Sequence, residues 1–78
     1  MRLPRGVGAN RLMRALTSLG YQVVRQQGSH IRMRFAGSPG HAVTIPNHDP
    51  IKVGTLHGII TDVAQHLGVE PDEVLARL

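Results

Sequence analysis

From Ala9 onward the apolar positions recur at helical spacing. Leu12, Leu16 and Leu19 lie four and three residues apart, which places them on one side of a helix, while Arg11, Arg14 and Thr17 point elsewhere. Gly20 follows at once, as a helix stop in the left-handed conformation requires. The period then shortens to two. Tyr21 to Gln26 is rich in β-formers and of strand length, and Gln27-Gly28-Ser29 supplies a tight turn. In the next stretch, His30 to Phe35, the residues Ile31, Met33 and Phe35 fall on one face and His30, Arg32 and Arg34 on the other. Gly37-Ser38-Pro39-Gly40 is a second turn, and His41 to Ile45 reads as a third strand with Val43 and Ile45 on one face. After a loop from Pro46 to Pro50, helical spacing returns. Val53, Leu56, Ile59, Ile60, Val63, Ala64 and Leu67 form a broad apolar stripe ended by Gly68. Glu70-Pro71-Asp72-Glu73 has proline and acids where a helix starts, and Val74, Leu75 and Leu78 would dock that short terminal helix.

This pattern predicts an α+β domain of order α-β-β-β-α with a short C-terminal helix. Short turns between strands imply a three-stranded antiparallel meander. Two helices can each bury an apolar stripe only by sharing the sheet's apolar face, which leaves bare the face that carries His30, Arg32 and Arg34. Residues 1–8, with Pro4, Gly6 and Gly8, read as an extended N-terminal arm, and residues 9–78 as a single domain.

Composition narrows the picture. A chain of 78 residues buries a modest share of its surface, and without cysteine it has neither disulfides nor thiolate metal sites to compensate. The core must therefore be aliphatic, and 41% of the residues are hydrophobic while Tyr21 and Phe35 are the only aromatics of the Phe, Trp and Tyr class. The net charge of +4 is unevenly spread: Arg2, Arg5, Arg11, Arg14, Arg25, Arg32 and Arg34 all precede the first acid, Asp49. A basic half of this kind suits a polyanion, because guanidinium forks match phosphate. The N-terminal residues lack the apolar core of a secretory leader, and no apolar run reaches membrane-spanning length, so a cytoplasmic protein is expected. Five histidines are present, but none form a His-x-x-x-His pair or stand with a carboxylate at ligand spacing, so no metal and no cofactor are expected.

Two blocks carry a resemblance to a known family. Gly20-Tyr21-Gln22-Val23-Val24-Arg25-Gln26-Gln27-Gly28-Ser29-His30 resembles the central signature of the HicA toxins, also described as YcfA-like. Val43-Thr44-Ile45-Pro46-Asn47-His48, followed by Gly54-Thr55-Leu56 and Ile59, resembles the rest of it, and the likeness extends to about Gly68. It implies a fold similar to the double-stranded-RNA-binding domain, with two helices on a three-stranded antiparallel sheet. It also implies a toxin of a type II toxin–antitoxin system that cleaves mRNA without a metal and is neutralised by a HicB-like antitoxin protein covering a catalytic histidine. That histidine corresponds to His30.

The chemistry is consistent with that assignment. RNA carries its own nucleophile, the 2′-hydroxyl, and histidine can take or give a proton near neutrality, since its unperturbed pKa is about 6.5. Gly28 permits the tight turn, and Ser29 can bond the turn or a phosphate. From the residues alone, a strand-start histidine beside a turn reads first as exposed polar surface, and it is the resemblance that favours catalysis. His48 is the candidate second acid–base group, or a structural cap on the second helix. Arg25, Arg32, Arg34 and Lys52 are candidate phosphate contacts, with Arg32 and Arg34 sharing the His30 face. His41 and His57 read as solvated, and His66 as a cation near a helix end. The alternatives are a non-catalytic RNA-binding module or degenerate toxin of the same fold, and a module for an acidic protein partner. The scarcity of aromatics argues against readers that stack bases.

Overall fold

The computed structural model describes all residues from Met1 to Leu78. The elements run α1 (Ala9–Ser18), β1 (Tyr21–Gln27), β2 (His30–Phe35), β3 (Ala42–Pro46), α2 (Val53–Leu67) and α3 (Pro71–Leu75). The strands form one antiparallel sheet of order β1-β2-β3, so β2 is central. The α+β architecture expected from the periodicity is present, and it is consistent with the double-stranded-RNA-binding-domain type of fold.

Alternation decides which side of the sheet each residue meets. Tyr21, Ile31, Met33, Val43 and Ile45 are buried against Leu12 and Leu16 of α1 and Leu56, Ile59, Ile60 and Val63 of α2 in one continuous core. Their neighbours in sequence, Arg32, Arg34 and Thr44, are exposed on the open side. No polar or charged residue is buried. Burying about ten aliphatic side chains at roughly 1.5–3 kcal/mol each is the main force that seats the helices.

Several local features differ from the sequence pattern. Val53 was expected on the buried stripe of α2 but is 61% exposed. It is the first residue of the helix, and Ile51, in the loop just before, is the buried residue at this end. The N–H of Ile51 donates to the Val7 carbonyl at 2.8 Å, and Val7 is itself buried, so the inner end of the 1–8 segment is sewn to the domain without forming a helix or strand. Strand β1 carries a bulge at Val24: Val23 faces Met33, whereas Arg25 faces Arg32. Val23 shares the helix-facing side of the sheet with Met33 yet is 51% exposed, because it lies on the edge strand whereas Met33 is on the central one. At the other end Gly20, with φ +104°, lies against the Phe35 ring, and a Cβ there would stand 2.9 Å from it. Gly68, with φ +69°, closes α2, and the Val69 N–H returns to the Ala64 carbonyl at 3.0 Å. Helix α3 opens with Pro71, Asp72 and Glu73, and its Val74 docks in the core.

His41 was expected in solvent, and this is corrected. It is half-buried, its Nδ1 lies 2.6 Å from the Tyr21 hydroxyl and its Nε2 lies 3.0 Å from Asp62 Oδ1. The ring also stacks on His66, with centroids 4.4 Å apart, and His66 meets Phe35 edge-on. The physical reason is Tyr21. A fully buried phenol needs a partner for its hydroxyl, and the start of β3 supplies one. With the hydroxyl donating to Nδ1 and Nε2–H donating to Asp62, a neutral imidazole satisfies all three groups. The network ties β1, β3 and α2 together.

Burial, and secondarily the Asp62 carboxylate, push the Tyr21 phenol up to about 12. Its proton is held more tightly in the folded chain than in the unfolded one, so its stabilising effect is whole below about pH 10 and is lost as pH rises towards about 12. Tyr21→Phe should lower stability at neutral pH by about 1 kcal/mol. In denaturant titrations, the gap between wild type and Tyr21→Phe should shrink between those two pH values. A constant gap across that window would exclude the network as the cause.

Candidate active site

The β1–β2 turn positions His30. Gln27 pairs with His30 across a two-residue loop, Gly28-Ser29, in which Gly28 alone has a positive φ, +56°. Glycine first in a two-residue hairpin loop is the arrangement whose twist matches the flanking strands. His30 then opens β2, with its side chain on the open face.

Around it lies a shallow depression of about 200 Å³ lined by Arg25, Gln27, His30, Arg32 and Thr44. All five side chains are polar. Arg32 is directly opposite Thr44 across the β2–β3 pair and donates from Nη1 to Thr44 Oγ1 at 2.9 Å. Arg25 donates from Nη2 to Gln27 Oε1 at 2.7 Å. The bulge at Val24 is what puts Arg25 here, opposite Arg32 and on the same side as His30 and Gln27. Two guanidinium groups thus stand beside one imidazole, with no carboxylate and no second histidine in the lining.

The other candidate residues lie elsewhere. Arg34 is exposed on the same face one pair further along β2, opposite Gln22 and Ala42, outside the depression. Lys52 is exposed at the start of α2 and is also outside it. His48 lines a separate depression with Asn10, Arg11, Arg14, Asn47 and Asp49 at the start of α1. Its carbonyl accepts the Ala9 N–H at 3.0 Å, so its backbone caps α1 rather than α2. The two sequence blocks nevertheless meet: the Asn47 N–H donates to the Ser29 carbonyl at 2.6 Å, and His30 pairs with Pro46. Gln27 and Thr44 were not singled out by sequence reasoning. The two-residue turn, which sets Gln27 opposite His30, was the available signal for Gln27, whereas Thr44 needs the β2–β3 register.

No three His, Asp or Glu side chains converge as metal ligands, and no helix is long and apolar enough to cross a membrane.

Fold and open face together define a small α+β domain that presents a cationic, histidine-bearing sheet surface. The chain matches the family described as the HicA toxin of bacterial toxin–antitoxin systems over residues 9–68, and it belongs to that family. It is therefore the toxin half of a toxin–antitoxin pair. No curated protein and no solved structure matches it significantly.

The turn is open to solvent, and a Cβ at Gly28 would meet nothing within 4 Å. Only the left-handed backbone opposes a side chain there. Gly28→Ala should lower stability by about 1–2 kcal/mol, or roughly 4–8 °C in Tm for each kcal/mol. A Tm unchanged within a degree would show that the turn adopts another conformation.

Proposed function

We propose that the protein is an endoribonuclease that cleaves mRNA in the cytoplasm without a metal cofactor, and that a HicB-like antitoxin neutralises it by covering His30. The observation that carries this reading is the gathering of His30 with Arg25 and Arg32, which stand opposite each other one step from it, in one polar depression on the uncovered sheet face. The arginines hold the phosphodiester, and His30 acts on the adjacent 2′-hydroxyl as general base. A positioned acid–base group of this kind contributes about 10²–10⁴-fold. Gly28 and Ser29 set the approach of the RNA backbone at the turn, and Arg34 and Lys52 extend the cationic surface beyond the cleavage point. His48, in the neighbouring depression with Arg11 and Arg14, contacts RNA to one side of the scissile bond.

The test is incubation of the purified protein with a long mRNA in the presence of a chelator, alongside His30→Ala. His30 is exposed, so the variant should keep the wild-type circular dichroism and melting curve while cleavage falls at least 100-fold, the lower end of what one such group supplies. Cleavage by His30→Ala at the wild-type rate would overturn the assignment. RNA bound but never cut by wild type would make the open face a binding surface only. In the His30→Ala background, Arg25→Ala and Arg32→Ala should each flatten the salt dependence of RNA binding by about 0.7 in log–log slope, the share of one phosphate on a single strand. Unchanged slopes would place the RNA on another face.

A further inference from the structure

The reaction has two demands, a proton acceptor for the 2′-hydroxyl and relief of the charge that builds on phosphorus. His30 meets the first. Resting on the ribonuclease reading above, we infer that the second is met by Arg32, acting as the electrostatic stabiliser of the transition state, and that Thr44 is its positioning residue. No second titrating group takes part.

The lining of the depression leaves few choices. Beside His30 it offers two guanidinium groups, an amide and a hydroxyl, and neither an acid nor another imidazole. Of the two arginines, Arg25 follows a bulge on an edge strand, and its partner Gln27 is a long, freely rotating side chain two residues away on the same strand. Arg32 stands on the central strand, and its Nη1 is bonded at 2.9 Å to a hydroxyl directly across the ladder. Threonine is stiff at χ1, so this partner holds still. One bond to Thr44 leaves the other face of the guanidinium fork free for phosphate oxygens. His30 and Arg32 are two residues apart on one strand, which separates their side chains by about 7 Å along it. One phosphodiester bridges that span, with the 2′-oxygen at the imidazole and the non-bridging oxygens at the guanidinium.

Solvent water is the only other reactant. His30 takes the 2′-hydroxyl proton, the 2′-oxygen bonds phosphorus, and the P–O5′ bond breaks. Water protonates the departing 5′-oxygen, and the imidazolium returns its proton to solvent. The products are a 2′,3′-cyclic phosphate and a 5′-hydroxyl. Negative charge on the phosphoryl oxygens peaks between these events, where oriented donors count most.

The experiment is a steady-state kinetic comparison of wild type, Thr44→Val, Thr44→Ser, Arg32→Lys and His30→Ala on a short fluorogenic RNA, across the pH range in which all remain folded. Thr44→Val keeps the branched shape and loses the hydroxyl. It should lower kcat about tenfold and leave KM within twofold, because charge attraction tolerates a loose guanidinium and transition-state stabilisation does not. Thr44→Ser restores the acceptor and should return kcat to near wild type. Arg32→Lys keeps the charge without the fork and should lose about 100-fold in kcat. The wild-type profile of kcat against pH should rise through a single ionisation to a plateau. A Thr44→Val enzyme with wild-type kcat, or one impaired in KM alone, overturns the inference while cleavage dependent on His30 still stands. A descending alkaline limb does the same by revealing a titrating acid. Absence of cleavage by wild type overturns both this inference and the ribonuclease reading.

Discussion

The structure rests on a sheet covered on one side only. Three strands and two main helices give this chain enough apolar surface for one core layer, and the helices must both lie on the face that carries Ile31, Met33, Val43 and Ile45. Because successive residues of a strand point to opposite sides, the burial of those four fixes the exposure of His30, Arg32 and Thr44. Site and core are thus two readings of one alternation. A one-residue slip of β2 would send the arginines into the core and the aliphatic side chains into solvent, so the hydrophobic register keeps these residues on the open face.

Where alternation is broken, the break matters. Counted without interruption from Tyr21, Arg25 would share the covered side with Val23. The bulge at Val24 resets the count and delivers Arg25 to the open face opposite Arg32. A bulge of this kind re-aims a side chain at the cost of a locally unpaired residue. Here that residue is Val24, 51% exposed on an edge strand, where the disruption weakens little.

Much of this was legible in the sequence. Helix α2 begins at Val53 and ends at Leu67 as its period and Gly68 indicate, and the open face follows from the alternation of His30 to Phe35. The family assignment was legible because its two blocks keep order and spacing. What was hidden depends on contacts between distant residues. His41 has no local sign of burial, and its role is set by Tyr21, twenty residues earlier, and Asp62, twenty-one later. Val53 stands at the very start of its helix, where the period of the stripe does not decide burial, and Ile51 before it is buried instead. Thr44 is an ordinary strand threonine until the β2–β3 register sets it opposite Arg32. The separation of His48 from the His30 depression likewise follows from the loop's bond to α1, which no spacing rule reveals.

The acids are as informative as the arginines. Glu70, Asp72 and Glu73 gather at the start of α3, which packs on α2 and so belongs to the helical side of the domain, whereas Arg25, Arg32 and Arg34 occupy the sheet's outer surface. The sheet's outer surface thus carries arginines and no acid, whereas the helical side mixes its acids with Arg11, Arg14 and Arg77, so the net positive charge is spread unevenly across the domain. In the field of a polyanion such a body feels a torque as well as an attraction, and it turns sheet-first before contact. Alignment in flight raises the fraction of collisions that begin in a productive pose, an advantage that salt erodes over a Debye length of about 8 Å at physiological ionic strength.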